Sequence, residues 1–121
     1  VDSKSGFVSL INLASVADLG AKIGAPLDPL RFRANLYCDG VAPWAEADWP
    51  GRRLRIGGVV LEALKRIDRC AATGVDPATG RRDIDVVAGL RRHYGHIDCG
   101  LYARVVSGGR IAVGDSLQFA D

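Results

Sequence analysis

Arg53-Leu54-Arg55-Ile56-Gly57-Gly58-Val59-Val60-Leu61-Glu62-Ala63-Leu64-Lys65-Arg66-Ile67-Asp68-Arg69-Cys70 decides the fold. Charged and apolar residues alternate up to the glycine pair, as in a strand with one wet face, and Gly57-Gly58 is a tight-turn dipeptide between two such runs. After the turn Val59, Leu61, Ala63 and Ile67 fall on one face, so the stretch reads as a β-hairpin whose second strand is the longest in the chain. Cys70 then lies near that strand's end, beside Arg69. It is followed by Ala71-Ala72-Thr73-Gly74-Val75-Asp76-Pro77-Ala78-Thr79-Gly80, in which Asp76 to Gly80 has the proline and glycine of a type I turn.

Outward from the hairpin, Phe7 to Leu13 reads as a buried strand. Ser15 then caps a short helix with Val16, Leu19 and Ile23 on one face and Gly24 as its stop. Past Pro26 and Pro29, the alternation of Arg31-Phe32-Arg33-Ala34-Asn35-Leu36-Tyr37 predicts a half-buried strand with a basic face. Val41 to Arg52 reads as a loop that packs Trp44 and Trp49 beneath itself. Asp83 is placed to cap a helix running to Tyr94 and ended by Gly95. Tyr102 to Val106, Arg110 to Val113 and Ser116 to Phe119 read as closing strands. Six or seven strands and two short helices predict a mainly β, barrel-like domain with inserted helices, in preference to a doubly wound sheet.

The 121 residues, 48% hydrophobic and 25% charged, suit one globular domain with its own core. A net charge of +2 is too weak for nucleic acid as a stable partner, although paired arginines recur and suit local anion binding. No apolar run approaches the ~20 residues needed to span a bilayer, so no membrane partner is expected. Val1-Asp2-Ser3-Lys4 has neither an initiator methionine nor an apolar stretch, which points to a fragment or a processed chain. Three cysteines without a CxxC spacing argue against a disulfide framework and for a reducing, cytoplasmic setting.

Cys70 carries the strongest chemical signal. A free cysteine is most often a small buried hydrophobe. Here the adjacent Arg69, the nearby Arg66 and the polar turn that follows favour a thiol near solvent whose thiolate is stabilised, the form that binds metal or carries sulfur. Nucleophile, sulfur carrier and metal ligand all stay open on these residues. His93 and His96 are candidates for a Cys/His pair, and His93-x-x-His96-x-x-Cys99 for zinc, but the latter lacks a fourth ligand at a usual spacing. Arg31 and Arg33 could bind phosphate or carboxylate in two-pronged fashion, the bland alternative being a solvated face.

Leu27 to Leu36, with Ala45-Glu46-Ala47-Asp48-Trp49, Ile67-Asp68-Arg69-Cys70 to Gly80, Tyr94-Gly95-His96 and Gly114-Asp115, resembles the MOSC domain. That module is named for the C-terminus of molybdenum cofactor sulfurase. The likeness is greatest to the branch of the mitochondrial amidoxime-reducing components and the bacterial YcbX-type proteins, and it spans residues 1–121 as the C-terminal portion of a longer protein. The resemblance implies a β-barrel-like fold around a molybdenum cofactor (molybdopterin), with Cys70 as the metal ligand and the catalytic cysteine. It also implies Arg33, Asp68, Arg69 and Tyr102 at the cofactor, with Ser3, Lys4 and Ser5 near it.

For the intact protein the resemblance implies a molybdenum-dependent oxidoreductase that reduces a small-molecule N-hydroxylated substrate with electrons from a separate electron-transfer protein. It leaves open whether this fragment acts alone. A second possibility is a sulfur-carrier or cofactor-binding module that uses a Cys70 persulfide without redox turnover.

Overall fold

The two halves of the hairpin form where the glycine pair turns: β1 (Phe7–Asn12) and β2 (Leu36–Cys38) precede it, and β3 (Arg53–Ile56) and β4 (Val59–Asp68) make it, paired from Ile56↔Val59 to Arg53↔Glu62. β5 (Asp98–Ser107) and β6 (Leu117–Phe119) follow. Among the described residues the order β2-β1-β5-β4-β3-β6 gives a mainly β, six-stranded curled sheet, half of a barrel, in which only β1 and β2 run parallel. This computed structural model describes residues 6–120.

Alternation dictates which face is buried. Leu54 and Ile56 point inward while Arg53 and Arg55 face water, and Val59, Leu61, Ala63 and Ile67 of β4 are buried as expected. Pairing of β4 with β5 shifts register between Ala63 and Lys65 and again between Arg66 and Asp68. Such shifts bend a strand and re-aim its end, and they come just before Cys70. A second apolar cluster joins Ile11, Val16, Leu19, Phe32, Val86 and Leu90 under α1 (Leu13–Ile23) and α2 (Val86–Tyr94).

Four local expectations are corrected. Helix α1 is capped by Asn12, whose Oδ1 accepts the Ala14 N–H at 3.0 Å; Ser15 is drawn into the core, where its hydroxyl donates to buried Glu46 at 2.7 Å and accepts the Trp44 N–H at 2.8 Å. The strand expected from Arg31 to Tyr37 is a 3-10 turn over Pro29–Phe32, then the short β2. Asp28 accepts the Leu30 N–H at 2.9 Å and Pro29 supplies a preset φ, a helix-start signal stronger than the alternation after it. Helix α2 is capped by Asp85, which accepts the Ala88 N–H at 3.0 Å, because Asp83 is engaged by Arg31. Arg110 to Val113 is a loop instead of a strand: Asp115 Oδ2 accepts the Ala112 N–H at 2.8 Å, and the Arg110 carbonyl accepts the Gly58 N–H at 3.0 Å.

The expectation that the indoles pack under their own loop is met differently by each. Trp49 is buried in the sheet core, with its ring 5.7 Å from that of Phe119. Trp44 lies 4.5 Å from the Tyr94 ring and donates through Nε1 to Asp18 Oδ2 at 2.8 Å. Asp18 also accepts the Tyr94 hydroxyl at 2.6 Å, joining α1, the tryptophan loop and α2. That hydrogen bond first, then the Trp44 bond, holds the Asp18 carboxyl below its ordinary value of 3.8 against the opposing effect of burial. A lowered carboxyl pKa stabilises the fold above the unfolded value, and the stabilisation disappears as pH falls through the folded value. Melting temperature should therefore drop between about pH 5 and pH 2, and Asp18→Asn should start lower at neutral pH and show a shallower acid slope. Equal slopes in the two proteins would contradict the role given to this carboxylate.

Candidate functional site

The end of β4 meets the start of β5 at Arg69. Its backbone N–H donates to Ile97 O at 2.8 Å, and its side chain turns inward, with Nε donating to Cys99 O at 2.8 Å and Nη1 to Phe32 O at 3.3 Å. The guanidinium also stands 5.2 Å from the centre of the Phe32 ring. Desolvation pulls Arg69 below its ordinary range, while Cys99, Tyr102, Cys70 and Tyr37 lie near enough to act in the opposite sense. An arginine stays cationic through such a shift. Nη2 is buried without a hydrogen-bond partner, 3.0 Å from where a Cβ on Gly100 would stand. Gly100 itself has φ +90°, and an added Cβ would come within 2.8 Å of Leu10 O and Ile11 Cδ1. Bare backbone is thus required beside the unused donor.

Cys70 follows directly. It is exposed, extended (φ −116°, ψ 178°), and opens a 3-10 turn over Ala71–Gly74. Its carbonyl accepts from Thr73 twice, from N–H at 3.2 Å and from Oγ1 at 2.9 Å. Thr73 is buried, and its own carbonyl accepts from Arg31 Nη1 at 3.2 Å. Arg31 was expected on a basic face with Arg33. Instead it is only 6% exposed, and Nη2 donates to both Asp83 oxygens at 2.9 and 2.7 Å. The Arg31 hydrogen bond is the main reason the Asp83 carboxyl lies below its ordinary value. The turn is held from further sides by Arg82 Nη1 on Ala71 O at 3.0 Å and the Asp83 N–H on Gly74 O at 3.1 Å. Next to these contacts a cavity of about 240 Å³ is lined by Ala71, Gly74, Arg82, Asp83 and the first residues of α2.

The remaining predicted residues take up different positions. Arg33 is exposed and in the left-handed region (φ 49°), one residue past the carbonyl that Arg69 grips. Non-glycine residues held there cluster at binding sites. Asp68 is exposed and ends β4 opposite Asp98. Tyr102, 40% exposed on β5, pairs in register with Ser9 and Lys65 and has the Lys65 ammonium 5.8 Å from its ring centre. Ser3, Lys4 and Ser5 lie outside the described residues.

Among the described residues no hydrogen bond joins the Cys70 thiol to a histidine, and His93 is exposed on α2. His96 is stacked near Tyr94, with ring centres 6.1 Å apart, and its Nδ1 accepts the Asp98 N–H at 3.0 Å, which occupies that nitrogen. The zinc reading fails as well: among the described residues no three His, Cys, Asp or Glu side chains cluster as a metal site, and Cys99 is buried. Sequence reasoning missed Thr73, Gly100 and the inward course of Arg31. Thr73 gave a local signal, since a hydroxyl three residues after an exposed cysteine can cap its carbonyl; the Arg31–Asp83 contact spans 52 residues and gave none.

The sequence matches the MOSC domain family over residues 3–118. The chain belongs to that family. Among curated relatives of this MOSC domain, the molybdenum cofactor sulfurase of Caenorhabditis elegans is 33% identical over 98% of this chain and 18% of its own length. Human mitochondrial amidoxime-reducing component 1 is 35% identical over 59% of this chain and 20% of its own. The chain therefore spans about a fifth of the relatives it matches. Two solved structures share the fold: the YuaD protein from Bacillus subtilis, with TM-score 0.72 and 21% identity over 91% of this chain and 61% of that one, and YiiM from Geobacillus stearothermophilus, with TM-score 0.71 and 17% identity over 94% and 54%. Among the described residues no helix of the MOSC domain is long and apolar enough to cross a membrane.

The three free thiols differ in access. Burial, followed by the Glu46 charge, pushes half-buried Cys38 up to about 11, and burial pushes Cys99 up to about 12. Both are protonated at neutral pH, and the thiolate is the reactive form. Iodoacetamide in small excess at neutral pH should label Cys70 first, as read by peptide mass mapping. Equal or faster labelling of Cys99 would contradict this arrangement.

Proposed function

We propose that this MOSC domain binds a molybdenum cofactor with Cys70 as a thiolate ligand to molybdenum, and that the intact protein reduces N-hydroxylated or N-oxygenated small molecules. The observation that carries the reading is the exposed Cys70 thiol on a tied-down turn, in the residue directly after Arg69, whose Nη2 is buried and unpartnered at the bare face of Gly100. A soft thiolate suits a sulfur-rich metal centre, and an unused cationic donor suits an anionic pterin phosphate. The residues present therefore fit the group.

When bound, that group supplies the two-electron redox chemistry. Cys70 would anchor it. Arg33, exposed in its left-handed turn, is free to pair with phosphate oxygens, and Arg69 offers Nη2 while its other nitrogens hold the corner. Asp68 would accept pterin N–H groups, and the Tyr102 hydroxyl would donate or accept at its rim. Reduction of an amidoxime consumes two electrons and two protons: the N–O bond breaks, the oxygen leaves as water and an amidine remains. Electrons would come from a separate electron-transfer protein in a reducing, cytoplasmic compartment, which suits three free cysteines.

A second reading has one observation in its favour. Relatives named molybdenum cofactor sulfurase align over 98% and 85% of this chain, against 59% and 60% for those named for amidoxime reduction. In that reading Cys70 takes a sulfane sulfur from a donor persulfide and hands it to an acceptor thiol, one S–S bond breaking as the next forms, without redox turnover.

Molybdenum content and benzamidoxime reduction of the full-length protein, compared with Cys70→Ser, separate the cases. Much lower loading and loss of turnover are expected in the variant. Equal loading and equal turnover would refute the proposal, and a persulfide on Cys70 in a molybdenum-free protein would select the second reading.

A further inference from the structure

Cys70 is held by residues that never touch its thiol. Thr73 donates twice to the Cys70 carbonyl, Arg31 Nη1 donates to the Thr73 carbonyl, Arg31 Nη2 grips both Asp83 oxygens, and the Asp83 N–H donates to Gly74 O. The contacts close a ring that runs Arg31, Thr73, Gly74, Asp83 and back to Arg31. Its base does not move easily: Arg31 belongs to the 3-10 turn whose next residue, Phe32, is 3% exposed in the core, and Arg31 is 6% exposed. Gly74 leaves no slack, since a Cβ there would come within 2.7 Å of Ile84 O.

A purely packing role would not call for this chemistry. Arg31 Nε is buried with no hydrogen-bond partner, an unmet cost that an apolar residue of similar length would avoid. Buried ionic groups are best attested where they fix one conformation among several. The conformation at stake is that of the turn presenting Cys70, whose carbonyl is capped by Thr73 while its side chain is left to solvent.

Resting on the reading that Cys70 is the cofactor's ligand, we infer that Thr73, Arg31 and Asp83 are positioning residues for the Cys70 thiol. Arg31, braced by Asp83, fixes Thr73, and Thr73 fixes the backbone from which the thiol reaches the metal. Thr73→Val keeps the shape of the side chain and removes the hydroxyl donor, Thr73→Ser restores the donor, and Arg31→Met removes the brace.

The test uses the full-length protein. Backbone hydrogen exchange of residues 70–74 is measured in the cofactor-free form, molybdenum occupancy after loading with limiting cofactor, and melting temperature throughout. Thr73→Val should melt only slightly below the parent, exchange at 70–74 about fivefold faster, as one lost hydrogen bond implies, and lose occupancy about fivefold; Thr73→Ser should recover both. Arg31→Met should exchange faster still at 70–74 and lose more occupancy, with a lower melting temperature because the buried ion pair is broken. Parental exchange and parental occupancy in Thr73→Val would overturn the inference while leaving Cys70 as ligand. Parental occupancy in Cys70→Ser would overturn the ligand reading, and the positioning role with it.

Discussion

One buried guanidinium joins the parts of this domain that matter for its chemistry. Arg69 reaches from the end of β4 to the carbonyl of Cys99 in β5 and to that of Phe32 before β2, so three separate stretches of chain converge on a single planar cation. Carbonyl oxygens turned inward without a donor would each carry a desolvation penalty, and Arg69 satisfies two of them. Its own burial is tolerable because two of its three nitrogens are occupied and the Phe32 ring lies alongside. The cation thus fixes the place where the sheet stops and the Cys70 turn begins. It also leaves one nitrogen unused on the side of Gly100, where a glycine is required by φ and by space together.

A second layer of polar contacts acts on the turn. Arg31, Thr73 and Asp83 form a ring that sets the backbone of Cys70 without approaching its sulfur. Division of labour between the two arginines follows from their neighbours. Arg69 is held by neutral carbonyls and no carboxylate pairs with it among the described residues, whereas Arg31 is neutralised by a carboxylate and serves the backbone. An anionic ligand would therefore be drawn towards Arg69 and exposed Arg33 in preference to Arg31.

What the sequence made legible was whatever its local chemistry determines. The β3/β4 hairpin, the stops at Gly24 and Gly95, and the solvent-facing place of Cys70 follow from alternation, turn glycines and a polar run, all within a few residues of the feature they predict. The stretch from Arg31 to Tyr37 alternates like a strand, yet the Asp28-Pro29 start signal prevails there, and in sequence a buried arginine looks like an exposed one until its carboxylate is known. Ser15 was misread for a similar reason: its partner, Glu46, comes from a distant loop. At the site, the cysteine and its adjacent arginine could be read from the chain. The orphan nitrogen at Gly100 could not, since it arises only when β4, β5 and the 3-10 turn meet.

The central claim is that Cys70 binds molybdenum from this corner of the sheet. Molybdenum X-ray absorption on the loaded full-length protein addresses it directly, because first-shell scattering counts sulfur ligands. The reduced share of molybdenum that Cys70→Ser still holds at saturating cofactor should show one sulfur scatterer fewer, while the sulfurs belonging to the cofactor stay. An unchanged sulfur count in a variant that still holds molybdenum would show that the metal takes no ligand from Cys70.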